Sequence, residues 1–276
     1  MFDLGRKPKP FLKWAGGKKG ALIHLRDHFP ESFRRYLEPF LGGGAIFLSL
    51  RSPVPSLLND LNPELIHVYR MVKERPIELM NELDRLRGLY SPEFYYELRD
   101  GEITDPLTRA ARTIFLNKTG YNGLYRLNKK GAFNVPFGKR EKCPNLYKRE
   151  NLVEVSRKLA SAELFNLDFE AFIDQAEAGD FVYCDPPYEP LNPTSNFKNY
   201  CPGGFSRNDQ ERLRNACMRA SDRGATIAIS NSTSEYIFSL YQGWKFQTIP
   251  SRRSINSVGG KRAPIPELLI LSGAVV

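Results

Sequence analysis

Residues 181–188 read Phe-Val-Tyr-Cys-Asp-Pro-Pro-Tyr. The run Phe181 to Cys184 is short and apolar, as expected of a buried strand. Asp185–Pro186–Pro187–Tyr188 follows at once. Two consecutive prolines fix φ and donate no N–H, so the turn is stiff. The segment therefore offers a carboxylate, backbone carbonyls and an aromatic ring at the carboxyl end of a strand. Open α/β sheets bind ligands at that end.

Outward from this strand, the pattern alternates. Strands are expected over 35–40, 56–59, 162–166, 180–184, 225–230, 245–249 and 267–271. Helices are expected over 22–29, from 45, and over 62–73, 169–177, 206–223 and 234–241. Alternation of this kind predicts an α/β sheet, mainly parallel. A polar helical stretch over 76–115, broken by Pro92 and Pro106, interrupts it and runs into a Gly-dotted basic segment. We expect residues 75–150 to form an inserted second domain, with 1–74 and 151–276 building the sheet domain.

A length of 276 residues suits two domains, or one large domain with an insertion. At 41% hydrophobic and 26% charged, the composition is that of a folded chain and excludes a disordered one. No apolar run reaches the ~18 residues of a membrane span, and no apolar stretch follows the basic start as in a secretory signal. The cysteines at 143, 184, 201 and 217 form no C-x-x-C pair, and the histidines at 24, 28 and 67 are scattered. This argues against structural zinc and for a reducing, cytoplasmic setting.

The net charge of +9 is confined to one segment. Residues 112–149 hold ten Lys/Arg and one acid, Glu141, so the rest of the chain is neutral. Tyr121, Tyr125, Phe133, Phe137 and Tyr147, with glycines at 120, 123, 131 and 138, interleave with the charges. That mixture suits a loop or hairpin that meets bases; a solvated basic face is the alternative.

The Asp185–Tyr188 turn suits transfer of a methyl group to an exocyclic amine. Such an amine is a poor nucleophile because its lone pair is delocalised into the ring. The Asp185 carboxylate and the Pro186 carbonyl could accept both N–H hydrogens and favour a pyramidal nitrogen, while Tyr188 stacks on the base. This is positioning and electrostatics, with no metal needed. A second segment, Glu38–Pro39–Phe40–Leu41–Gly42–Gly43–Gly44, lies at an expected strand-to-helix turn where glycines allow close backbone approach. It is not the dinucleotide fingerprint, since Phe47 stands at the third glycine position. Asp60, ending the next strand, suits ribose hydroxyls. In Phe11–Lys18, Trp14 can pack on an adenine or cap the sheet, and Lys18 can pair with a carboxylate.

Six strings stand in order: FLKWAGGK (11–18), EPFLGGGAIF (38–47), NDLN (59–62), NKTGYNGLYRLNKKGAFNVPFGK (117–139), DFVYCDPPY (180–188) and RRSI (252–255). Together they resemble the Dam-type DNA adenine-N6 methyltransferases of the alpha group, over residues 10–272. The resemblance implies a Rossmann-like methyltransferase sheet with an inserted, mostly helical DNA-recognition domain carrying a β-hairpin. It implies S-adenosylmethionine as donor, held by Trp14, Ala15, Gly16, Lys18, Glu38, Pro39, Phe40, Gly42, Gly44, Asp60, Asp168, Phe169 and Asp185. Asp185, Pro186, Pro187 and Tyr188 would be catalytic. Tyr121, Asn122, Leu124, Arg126, Asn128, Lys129, Lys130, Pro136 and Lys139 would contact double-stranded DNA.

The Tyr-Asn-Gly-Leu-x-Arg match makes GATC the favoured site, read on a monomer with the adenine flipped out; residues 141–148 depart from the family pattern. The alternatives are a non-catalytic DNA-binding module and an RNA- or protein-directed methyltransferase. A housekeeping role and partnership with a restriction nuclease are both open.

Overall fold

The computed structural model describes residues 7–50, 54–128, 130–191, 204–250 and 266–272. In chain order its elements are α1 (Leu22–Arg26), β1 (Tyr36–Glu38), α2 (Ala45–Ser49), β2 (Ser56–Asn59), α3 (Pro63–Glu74), α4 (Pro76–Gly88), α5 (Pro92–Asp100), α6 (Pro106–Thr119), α7 (Arg149–Leu159), β3 (Ala162–Phe165), α8 (Phe169–Ile173), β4 (Phe181–Cys184), α9 (Arg207–Asp222), β5 (Thr226–Asn231), α10 (Glu235–Leu240), β6 (Lys245–Ile249) and β7 (Glu267–Leu271). The chain divides into two compact units. One takes Met1–Gly17, Gly42–Pro53 and Asn62–Asn166; the other takes Lys18–Leu41, Val54–Leu61 and Leu167–Val276.

The second unit carries six strands in the order β2-β1-β4-β5-β7-β6. β2, β1, β4 and β5 are parallel, and β7 runs antiparallel to β5 and β6. Leu37 pairs with both Leu57 and Val182, so β1 is an inner strand. Every residue of β1, β2 and β4 is buried, as in a parallel sheet covered on both faces. β1 ends at Glu38, short of the expected Phe40, because Pro39 has no N–H to give the ladder. At its amino end β4 is fixed by buried Asp180, which receives Arg35 Nη2 at 2.6 Å.

The parallel strands deliver Phe40, Asp60 and Asp185 to one edge of the sheet. The antiparallel β7 starts where β5 ends, with Leu268 opposite Asn231. Glu267 therefore enters at that same edge.

The first unit holds α2 to α7 and β3. Pro63, Pro76, Pro92 and Pro106 each open a helix at its first turn, where a missing N–H costs nothing. Asn62, Ser91 and Asp105 cap three of those helices through their side chains. Pro92 and Pro106 thus start helices α5 and α6. The structure also adds α7, whose Leu152, Val155 and Leu159 form a buried stripe.

Residues 120–138 fold back on themselves. Two isolated bridges, Gly120 with Phe137 and Leu127 with Phe133, replace a continuous ladder. Among the described residues no helix is long and apolar enough to cross a membrane.

Candidate active site

Asp185 leaves the carboxyl end of β4 beside Lys18, whose ammonium lies 2.9 Å from its carboxylate. The ammonium also reaches Glu267 Oε2 at 3.2 Å, bonds the Tyr188 hydroxyl and sits 4.5 Å from the centroid of that ring. The Tyr188 hydroxyl donates to Glu267 Oε2 at 3.1 Å. Lys18 is 5% exposed, against 19% for each carboxylate.

Two acids thus share one buried cation. Burial pushes the Asp185 carboxyl up; Lys18 pulls it down and Glu267 pushes it up, leaving it at about 6. Burial alone would lower the Lys18 ammonium, but Asp185, Tyr183 and Glu267 outweigh it and hold the group above its ordinary value. Burial, then the charges of Asp185 and Glu267, raise the Tyr188 phenol. A carboxyl at about 6 is poised to change protonation near neutral pH, as perturbed groups in functional sites do.

The rest of the turn is held by two buried amides. Gln210 Nε2 donates to the Pro187 carbonyl at 3.0 Å, and Asn231 Nδ2 donates to Gln210 Oε1 at 3.1 Å. Asn231 Oδ1 accepts Glu189 N at 3.2 Å. Among the described residues, none donates to the Pro186 carbonyl.

At the same edge of the second unit, Phe40, Phe169 and Phe205 form an aromatic cluster, with Phe40 and Phe169 centroids 5.5 Å apart. Arg212 lies 4.8 Å over the Phe169 ring and donates to Asp168 Oδ1 at 2.8 Å. Asp168 Oδ1 also caps α8 through Glu170 N. Buried Asn59 ties the neighbouring loops together. It donates to the Pro39 and Leu167 carbonyls at 3.0 and 3.1 Å and accepts Leu167 N at 2.8 Å. Asp60, next in the chain, is half-buried. Glu38 is buried within β1 and receives the Tyr36 hydroxyl at 2.9 Å. An aromatic surface bordered by carboxylates at the ends of adjacent parallel strands has the chemistry of a nucleoside site.

Residues 14–257 match the sequence model of the D12 class N6 adenine-specific DNA methyltransferases. The chain is 40% identical to type II methyltransferase M.MjaIII of Methanocaldococcus jannaschii, covering 96% of this chain and 99% of that one. It is 38% identical to type II methyltransferase M1.LlaDCHI of Lactococcus lactis, over 95% and 94%. It is 35% identical to the DNA adenine methylase of Escherichia coli K12, over 96% of each.

The chain belongs to the D12 class of N6 adenine-specific DNA methyltransferases. It is an enzyme, and the methyl donor implied by this family is S-adenosylmethionine.

In the first unit of this methyltransferase, Trp14 packs on Tyr125 at 4.9 Å and over Gly42, where a Cβ would stand 3.0 Å from the indole. Gly42 has φ +48°, so the position demands glycine twice over. Its carbonyl accepts the Tyr69 hydroxyl at 3.2 Å. Ala15 and Gly16 form a turn, and Gly44 precedes α2 in a left-handed conformation.

Tyr121 and Asn122 are exposed on a tight turn, Asn122 at φ +53°. Leu124 is half-buried, and Pro136 accepts Tyr121 N at 2.9 Å while its ring is exposed. Exposed Arg126 donates from Nε to Asn134 Oδ1 at 2.8 Å and from Nη2 to the Asn134 carbonyl at 3.1 Å. Asn128 spends its side-chain oxygen on Lys130 N and Ala132 N, closing the hairpin turn. Lys130 and Lys139 are exposed. Lys129 and the string at 252–255 lie outside the described residues.

Glu267, Asn59, Gln210, Asn231 and Arg212 were not among the sequence candidates. An acid opening an otherwise apolar strand, Glu267–Leu271, was the available signal for Glu267. The partners of the other four come from elements distant in sequence.

Proposed function

We propose that this methyltransferase transfers a methyl group to N6 of an adenine flipped out of duplex DNA, within GATC. Residues 75–150 serve as the target-recognition domain, and 1–74 with 151–276 as the catalytic domain, in a monomer acting in the cytoplasm on the nucleoid. The observation that carries the chemistry is the pair of acceptors after β4. The Asp185 carboxylate leans on the buried Lys18 ammonium, and the described residues leave the Pro186 carbonyl without a donor. Those two oxygens accept the N6 hydrogens, and Tyr188 stacks on the base. Flipping costs a few kcal/mol, offset by stacking and strand contacts.

The donor fits the residues present. Asp60 takes the ribose hydroxyls, while Asp168 and the aromatic cluster take the adenine. Phe40 and Phe169 are 5.5 Å apart and leave no room between them, so the adenine lies against the cluster. Within the same unit the family pattern adds Lys18 and Glu38 as donor contacts; in the other unit it names Trp14 and the turns at 15–16 and 42–44. When bound, S-adenosylmethionine supplies an electrophilic methyl group, and the site has only to orient the amine.

GATC rests on the string Tyr121–Arg126, and the relatives include both DNA adenine methylases and type II enzymes. Either a housekeeping role or partnership with a restriction nuclease is compatible with this chemistry. The deciding experiment maps N6-methyladenine at single-base resolution in a methylation-free host expressing the chain or its Asp185→Ala variant. Modified GATC sites lost in the variant are expected. A different modified motif overturns GATC; modification that survives Asp185→Ala overturns the role of the turn.

A further inference from the structure

Pro186 and Pro187 have no N–H, so the turn that carries Tyr188 supplies few donors of its own. What holds it comes from two other elements. Gln210, in the first turn of α9, is 1% exposed, and Asn231, the last residue of β5, is fully buried. Their amides form one directed chain: Asn231 Nδ2 to Gln210 Oε1 at 3.1 Å, then Gln210 Nε2 to the Pro187 carbonyl at 3.0 Å. At the other end Asn231 Oδ1 accepts Glu189 N at 3.2 Å and Ser232 N at 2.8 Å.

The ends of the chain fix its sense. A carbonyl only accepts and a backbone N–H only donates, so flipping either amide would set like against like.

The two anchored groups flank one residue. The Pro187 carbonyl belongs to the peptide before Tyr188, and the Glu189 N–H to the peptide after it. With both peptide planes pinned, the direction in which Tyr188 leaves the backbone is set. We infer that Gln210 and Asn231 are positioning residues for methyl transfer, aligning the Tyr188 ring, and with it the acceptor base, through the two peptides on either side. The inference rests on the reading of Tyr188 as the stacking ring of the active site. Half of the anchoring would be lost in Gln210→Met, which keeps the length and burial of the side chain but donates nothing.

The test is steady-state kinetics with duplex DNA carrying the mapped target site, for Gln210→Met, Asn231→Ala, Tyr188→Ala and the double variant Gln210→Met/Tyr188→Ala. Melting temperature and calorimetric titration of S-adenosylmethionine report folding of each protein. Misplacement of a reacting group by about 1 Å can cost about 100-fold. Gln210→Met and Asn231→Ala are expected to lower kcat by about 10- to 100-fold, with the KM for DNA and for donor changed less than about threefold. In the Tyr188→Ala background, Gln210→Met should add less than about a twofold loss, because the residue it aligns is gone.

A purely structural role predicts lower melting temperature and unchanged kcat per folded molecule, and overturns the inference. So does a full, additive loss in the double variant. If Tyr188→Ala and Asp185→Ala both keep parental activity, the reading of the turn itself falls, and the alignment role falls with it. An impaired Tyr188→Ala beside an unaffected Gln210→Met overturns only the alignment.

Discussion

The Lys18 ammonium lies 2.9 Å from the Asp185 carboxylate and is more deeply buried than its partner. One cation therefore opposes both burial and the second carboxylate, Glu267, in setting whether Asp185 is ionised. Asp185 can accept N–H hydrogens with both oxygens only while ionised.

This gives a signed pH dependence. The Asp185 carboxyl sits at about 6, above its ordinary value of 3.8. Its ionised form, which alone offers full acceptor oxygens to both the Lys18 ammonium and the amine, is present above that value and is lost as pH falls through it, so kcat/KM should fall on the acid side with a midpoint near 6. Lys18→Met removes the charge that pulls the carboxyl down and should raise the midpoint by about one unit or more. Glu267→Gln removes a charge that pushes it up and should lower the midpoint. Profiles of kcat/KM against pH for the three proteins check this; a shared midpoint means another group controls the acid limb.

Asp60→Ala should weaken donor binding and leave DNA binding unchanged. In the proposed site its carboxylate holds two ribose hydroxyls, and hydrogen bonds to a charged group contribute about 1.5–3 kcal/mol each. Calorimetry with S-adenosylmethionine should show a Kd raised at least tenfold. A loss of DNA affinity with donor affinity intact would remove Asp60 from the ribose.

Asn59→Leu tests the scaffold next to it. The substitution leaves the Pro39 and Leu167 carbonyls and the Leu167 N–H without the partner they have now. An unsatisfied buried group costs about 1–3 kcal/mol, well above the ~0.5 kcal/mol of an ordinary surface change. Denaturant unfolding measures the loss. A change below about 0.5 kcal/mol would mean that these loops do not depend on Asn59.

The strands were legible because most are short, largely apolar runs punctuated by Gly, Pro and Asp, and each expected strand has its counterpart in Tyr36–Glu38, Ser56–Asn59, Ala162–Phe165, Phe181–Cys184, Thr226–Asn231, Lys245–Ile249 and Glu267–Leu271. Pro92 and Pro106 read as breaks because proline at a first turn and proline after a last turn look alike without the caps, here Ser91 and Asp105. The spacing of Leu152, Val155 and Leu159 carries α7, but charged and polar residues outnumber the apolar ones within it and blur the period.

A carboxylate partner for Lys18 followed from residue type, though not that it would be Asp185. Glu267 did not, because only the reversed direction of β7 brings its first residue to the edge where β4 ends. Gln210 and Asn231 are polar residues in otherwise ordinary helix and strand patterns, and burial alone distinguishes them.

The hairpin gives the last prediction. Arg126 is exposed, with its guanidinium held by the Asn134 side chain and carbonyl. Two bonds within the hairpin fix the side chain and leave its remaining guanidinium donors for the proposed DNA contact. An arginine can bond bidentately to the O6 and N7 edge of a guanine, a contact that gives about 1–3 kcal/mol of discrimination. Arg126→Ala should therefore weaken binding at the mapped site more than at sites altered by one base pair. Exposed Lys130, whose backbone N–H is tied into the turn by Asn128, suits a phosphate contact. Lys130→Ala should weaken binding to all sequences alike and reduce the salt slope by about one.

Asn134→Ala frees the guanidinium without removing it and should give a smaller loss of selectivity than Arg126→Ala. Binding isotherms for cognate and altered duplexes at two salt concentrations separate the three variants. An equal loss for cognate and altered sites in Arg126→Ala would make Arg126 a backbone clamp. Unchanged selectivity with a lower melting temperature would make its bonds to Asn134 its whole role.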